Sequence, residues 1–180
     1  TVFFGGGTPS ILNLKQWERV FDALERVPRS EDGCEFSVEC NPATVSRDKA
    51  ALFRDRGVNR ISMGVQSFDS KLLDELGRIH TREMVFRSYD VLRSAGFKSI
   101  NLDLMFAIPG QDMAVWDATL DEAIALGSEH LSCYEVIYEE DTAMYARLQA
   151  GEFSVDEELA AAMYERLIER ADAAGFSQYE

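Results

Sequence analysis

Apolar and polar residues recur along this chain with two different periods, and the switching between them outlines its elements. Leu14, Trp17, Val20, Phe21 and Leu24 follow one another at helical spacing, and Asn13 with Gln16 just before them has the form of a capping box. The same rhythm predicts helices over 46–56, 81–95, 113–126 and 156–174, with shorter ones near 69–76 and 141–149. Between them, apolar runs predict strands near 1–4, 34–40, 60–65, 98–106, 130–136 and 177–180. The segments "RDRGVNRISMGV", "RSAGFKSINLDL", "IALGSEHLSCYE" and "DAAGFSQYE" share one grammar of helix end, glycine and short strand. In it Gly57, Gly96, Gly127 and Gly175 fit the left-handed residue that closes a helix. Strand, helix and strand at this rhythm imply parallel βαβ units with right-handed crossovers.

Parity within the strands adds a second layer. Ile61, Met63 and Val65 share one face, and Ser62, Gly64 and Gln66 the other. Leu102, Leu104 and Phe106 oppose Asn101 and Asp103, and Phe36 and Val38 oppose Ser37 and Glu39. Successive side chains point to opposite faces, so one face packs on helices and the other is polar. A doubly wound sheet would be apolar on both faces, and an ordinary eight-stranded barrel fills its interior with bulky branched residues. A polar inner face suits an incomplete barrel with a ligand in its lumen; alternatively, the polar groups satisfy one another or water.

Composition narrows the function classes. The 180 residues carry 32 acids against 18 bases, a formal charge of −14, which disfavours non-specific binding to nucleic acid or to an anionic membrane. No apolar run is long enough to span a bilayer and no cationic leader precedes one. Cys34, Cys40 and Cys133 are an odd number at spacings that make no CxxC or CxxxCxxC set. They read as free thiols of a reducing cytoplasm, and this stretch alone offers no zinc or iron–sulfur ligand set. A start at Thr1 and an end at "FSQYE", which reads as a strand beginning, suggest one domain over 1–180 taken from a longer protein.

Candidate chemistry collects at the carboxyl ends of the strands, where α/β proteins place their sites. Gly5, Gly6, Gly7 and Thr8 follow the first strand, Glu39 the second and Gln66 the third; Arg78 lies in "LGRIH" and Asp103 in "NLDLM". The three glycines read most simply as a tight βα turn. The whole set offers carboxylates for an ammonium or a ribose diol, an arginine for a carboxylate, and bare backbone for close approach. That list suits a nucleoside bearing an amino-acid tail. Other groups have plainer roles. His80 and His130 read as structural or solvent-facing, Cys133 as a small buried hydrophobe, Trp17 and Trp116 as core, and Glu139, Glu140 and Asp141 as a solvated helix start. Glu39 and Asp103 differ, because apolar neighbours of opposite parity force them inward.

Together, "GGGTPS", "ECNP", "RISMGVQSF", "LGRIHT", "NLDLMFAIPGQ" and "HLSCYE" resemble the radical S-adenosylmethionine (SAM) proteins related to oxygen-independent coproporphyrinogen III oxidase, and within them the HemW-type haem chaperones. The resemblance implies an incomplete parallel (β/α) TIM-like barrel of the radical SAM type, truncated at both ends. It implies that Gly6 and Glu39 contact a first SAM, while Gly7, Thr8, Gln66, Arg78 and Asp103 contact a second. An apolar contact would fall at Ile137. It implies a [4Fe–4S] cluster in the full-length protein, held by a CxxxCxxC loop upstream of Thr1. Haem or a porphyrinogen, an electron donor and a cytoplasmic location are implied as well. No catalytic residue or metal ligand is assigned within the chain, which alone should be inactive. Haem binding and transfer compete with oxidative decarboxylation of porphyrinogen propionates by a 5′-deoxyadenosyl radical, and with a barrel that binds another nucleotide without radical chemistry. Two departures stand out: Ala107 replaces a glycine common in relatives, and "YEEDT" lacks the usual Pro-Gly.

Overall fold

The computed structural model describes residues 1–26 and 33–179. Five strands, β1 (Val2–Phe4), β2 (Phe36–Cys40), β3 (Arg60–Gln66), β4 (Ser99–Phe106) and β5 (His130–Glu135), form one sheet in the order β1-β2-β3-β4-β5. Val38 pairs in parallel with Phe4 on one side and Ile61 on the other. Among the described residues, the α-helices that accompany them are α1 (Leu14–Leu24), α2 (Arg47–Asp55), α3 (Ser70–Glu75), α4 (Arg82–Ser94), α5 (Met113–Leu126), α6 (Ala143–Gln149) and α7 (Glu157–Ala173). Sequential strands that neighbour one another with helical crossovers are the arrangement of a partial parallel (β/α) barrel.

The helix ends follow from local chemistry. Asn13 and Gln16 cap α1 reciprocally, with Asn13 Oδ1 accepting from the Gln16 N–H and Gln16 Oε1 from the Asn13 N–H. Gly57, Gly96, Gly127 and Gly175 all carry left-handed φ beyond helix ends, as the spacing predicts. The strand expected over 177–180 does not form: residues 176–179 are irregular, and Glu180 lies outside the described residues. A strand needs a neighbour's ladder of hydrogen bonds. Here the chain turns back on α7 instead, with the Phe176 N–H donating to the Ala171 carbonyl and Gln178 Nε2 to the Tyr164 hydroxyl.

The chain divides into two compact units, and each has its own core. The first comprises Thr1–Val65, His80–Asp103 and Ser128–Leu131. In it Trp17, fully buried on α1, meets Phe53 of α2 edge-on at 4.8 Å, stacks on Phe21 at 5.1 Å and meets Phe4 at 5.5 Å. Ile61, Met63, Val65, Ile100 and Leu102 are buried, as their strand parity predicts. The opposite parity is buried too, at Ser37, Ser62 and Asn101.

The second unit comprises Gln66–Ile79, Leu104–Gly127 and Ser132–Glu180. Trp116 on α5 is fully buried and donates Nε1–H to the Met163 carbonyl of α7 at 2.9 Å. Arg166 and Arg170 of α7 pair with Asp117 of α5, and Arg170 also pairs with Asp121. Cys133 is half-buried rather than buried, because β5 packs less completely than the inner strands. The "YEEDT" turn closes without Pro-Gly: the Thr142 N–H and hydroxyl both donate to the Glu139 carbonyl, and Thr142 then caps α6.

Ala107 follows β4 with φ of +56°. A Cβ makes this left-handed conformation costly, by about 1–2 kcal/mol. Its N–H donates to Met163 Sδ at 3.4 Å, which ties the position to α7. Ala107→Gly should stabilise the protein by about 0.5–1 kcal/mol, the strain relieved less the extra entropy of an unfolded glycine, as read by urea denaturation.

Candidate functional site

β1 ends in Gly5, Gly6 and Gly7, and the three glycines meet different demands. A Cβ on Gly5 would lie 2.3 Å from the Phe3 ring and 3.1 Å from the Glu39 carboxyl group, so with these side chains in place the backbone there is bare. Gly6 and Gly7 have φ of +82° and +60°, with open space where a Cβ would stand. The resulting turn aims the Gly6 N–H at Glu39 Oε2, at 3.0 Å. Thr8 then precedes a one-turn 3₁₀ helix, Pro9–Ile11, and its carbonyl accepts from the Ile11 N–H. Glu39, near the end of β2, is thereby fixed by a charge-assisted bond to the glycine turn.

Asp103 on β4 sits deeper. Burial raises its carboxyl pKa, opposed by hydrogen bonds from Ser62 and Asn101; the Glu39 charge raises it further and Arg60 lowers it. Asn101 Nδ2 donates to Asp103 Oδ1 at 2.6 Å, and the Ser62 hydroxyl lies 3.1 and 3.2 Å from the two carboxylate oxygens. Polar groups of the inner parity thus satisfy one another in part. Among the residues singled out from sequence in this unit, the structure joins Gly6 to Glu39 directly. Asp103 is joined to Ser62 and Asn101, which parity placed on its face but to which no role was given.

Gln66 and Arg78 belong to the second unit. Gln66 ends β3 with φ of +65°, a conformation rare for a residue with a side chain, and its buried Oε1 lacks a hydrogen-bond partner. Arg78 is exposed, with its N–H donating to the Leu73 carbonyl. β5 stops at Glu135, so Ile137 lies beyond the strand and is 76% exposed. His80 is buried, with Nε2 hydrogen-bonded to the Val65 carbonyl at 3.0 Å.

The donor set can be tested against the groups that the sequence suggests. In the first unit, Glu39 and the open backbone of Gly6 and Gly7 have the chemistry to meet an ammonium or hydroxyl donor; in the second, Gln66 offers an acceptor of its own. An iron–sulfur cluster is not suited: Cys34, Cys40 and Cys133 form no disulfide and no ligand cluster, and no group of three His, Cys, Asp or Glu side chains among the described residues could hold a metal ion. The Cys40 thiol is pushed up to about 12 by burial, far from the thiolate that metals bind. No helix among the described residues is long and apolar enough to cross a membrane.

Comparison with known proteins gives consistent matches. Residues 1–123 match the model of the Radical SAM superfamily. The chain is 40% identical over 182 residues to the Heme chaperone HemW of Bacillus subtilis, covering all of this chain and 48% of that protein. It is 32% identical to the mitochondrial Radical S-adenosyl methionine domain-containing protein 1 of Danio rerio, covering all of this chain and 41% of that one. Among solved structures, coproporphyrinogen III oxidase (HemN) from Escherichia coli superposes with a TM-score of 0.86 at 25% identity, over 97% of this chain and 40% of that one. The chain thus spans about half the length or less of the curated relatives it matches.

Proposed function

The chain belongs to the Radical SAM superfamily, and from that premise we propose that it is the SAM-binding part of a longer protein that binds and transfers haem. The observation that carries the cofactor reading is the Gly6–Glu39 contact: a carboxylate held at 3.0 Å by a bare, left-handed glycine turn. Glu39 and Gly6 bind the ammonium and neighbouring polar groups of a first SAM, and Gly7 and Thr8 offer backbone and a hydroxyl to a second. Gln66 supplies its unpartnered Oε1 to a hydroxyl or ammonium donor. Arg78 pairs with a carboxylate, either of a second SAM or of a porphyrin propionate; no other basic side chain of the set can do so. Bound SAM supplies a sulfonium whose carbon–sulfur bond a reduced cluster can cleave. The [4Fe–4S] cluster and its electron donor would belong to the longer protein.

The haem-handling reading is supported by the whole-chain identity of 40% to a relative named as a haem chaperone. Likeness to HemN, with its TM-score of 0.86, favours a second reading, oxidation of coproporphyrinogen III. Reconstituted full-length protein, titrated anaerobically with haem, should bind it. Incubated with SAM, a reductant and coproporphyrinogen III, it should form little or no protoporphyrinogen by chromatography. Accumulation of protoporphyrinogen without haem binding would overturn the assignment and favour the oxidase.

A further inference from the structure

Behind Asp103, in the first unit, a chain of polar contacts runs from β3 through β4 to β5. Asn101 Nδ2 donates to Asp103 Oδ1 at 2.6 Å and to Ser62 Oγ at 2.7 Å, and Asn101 Oδ1 is hydrogen-bonded to His130 Nδ1. Donor chemistry gives every link a direction. An amide nitrogen only donates, so Asn101 Oδ1 is the accepting end and His130 Nδ1 must carry the proton. Ser62 Oγ accepts from Asn101, so its own hydrogen turns toward the carboxylate, 3.1 and 3.2 Å away. Oδ1 therefore takes the shorter, charge-assisted bond from Asn101, and the Asp103 carboxylate is left one preferred orientation.

We propose that Asn101 and His130 are positioning residues: the His130 ring locks the Asn101 amide, and the amide in turn aims the Asp103 carboxylate so that its remaining lone pairs meet a donor of the bound ligand. This rests on reading Asp103 as a contact to a second SAM. It deepens that reading by giving Asn101 and His130 a role that acts through Asp103. Positioning from behind matters in such a site because a carboxylate free to rotate loses binding energy to ordering. A merely structural network would satisfy buried groups equally well, and the two roles part in a double-mutant cycle.

The cycle is run in reconstituted full-length protein, with SAM affinity read by calorimetry and fold by thermal melting. Asp103→Asn should weaken SAM about tenfold or more, and His130→Phe about tenfold. His130→Asn, whose amide places a donor where Nδ1–H stood, should bind within about twofold of wild type. In the Asp103→Asn background, His130→Phe should add almost nothing, because its effect travels through the lost carboxylate. If His130→Phe does not fold, His130→Gln replaces it: the extra methylene misplaces the donor, and the same loss and the same non-additivity are expected. Imidazole ¹⁵N shifts should report an Nδ1–H tautomer that is lost in Asn101→Leu. Unchanged affinity in Asp103→Asn would remove Asp103 from the site, and the proposal with it. A normal loss in Asp103→Asn with no loss in the His130 variants, or with losses that simply multiply, would overturn the positioning role alone.

Discussion

Trp116→Ala should cost about 3–5 kcal/mol of stability, the range for emptying a fully buried tryptophan site. The side chain has no exposed surface, lies 5.7 Å from the Phe106 ring, and is the buried link between α5 and α7 in the second unit. Two losses combine. Removing the indole leaves a void that close-packed neighbours fill only in part, and it strips the Met163 carbonyl of its 2.9 Å donor. Trp116→Phe separates them in large part, since it keeps most of the volume while removing the N–H; about 1–2 kcal/mol is expected there. The ion pairs of Arg166 and Arg170 with Asp117 offset little of either loss, because partly exposed pairs each contribute about 1 kcal/mol or less. Urea denaturation followed by far-ultraviolet circular dichroism tests both variants. Equal losses in the two would show that the hydrogen bond, and not the packing, dominates this contact.

Much of this fold is legible in the sequence, for reasons that particular residues make plain. The alternation of Ile61, Met63 and Val65 with Ser62, Gly64 and Gln66 gives β3 and its helix-facing side, because period two has only one structural meaning. Asn13 with Gln16, and the glycines at 57, 96, 127 and 175, mark helix ends because caps demand specific side chains or a missing Cβ. The short turns Pro9–Ile11 and Pro42–Thr44 escape such a reading, since a single 3₁₀ turn leaves no periodicity. The segment before Glu180 misleads in the other direction. "FSQY" has strand composition, but strand formation depends on a partner that local sequence does not reveal.

The candidate site divides along similar lines. Glu39, Gln66 and Asp103 stand out from sequence because polar residues at inward positions are costly without a reason. Two features lie outside that logic. Nothing in the composition of "GVQSF" indicates that Gln66 adopts φ of +65°, because the conformation is imposed by tertiary contacts. Ser62 and Asn101 could be placed on the same face as Asp103, but their mutual geometry depends on strand register. His130 looks solitary in sequence, and only the adjacency of β4 and β5 brings it to Asn101.

The Glu39 carboxylate carries the second large effect, and the charge rather than the shape should account for it. Glu39→Gln keeps the length and nearly the volume of the side chain, and the amide oxygen can still accept from the Gly6 N–H that now donates to Oε2 at 3.0 Å. The glycine turn, whose φ values at Gly6 and Gly7 need no side-chain support, should therefore persist, and melting should move little. What disappears is a negative acceptor for the ligand's ammonium or hydroxyl groups. Bonds to a charged partner contribute about 1.5–3 kcal/mol against about 1 for neutral ones. SAM binding to the reconstituted full-length protein should thus weaken by about 1–3 kcal/mol, which is about five- to 150-fold in Kd. Gly5→Ala provides an independent check through sterics alone, since its Cβ would press on the Glu39 carboxyl from 3.1 Å while the exposed Phe3 ring can swing aside. It should lower the same affinity with the charge intact. Calorimetric affinity unchanged in Glu39→Gln would remove Glu39 from the site; a loss in Glu39→Gln that Gly5→Ala does not share would keep the charge and discard the requirement for a bare backbone beside it.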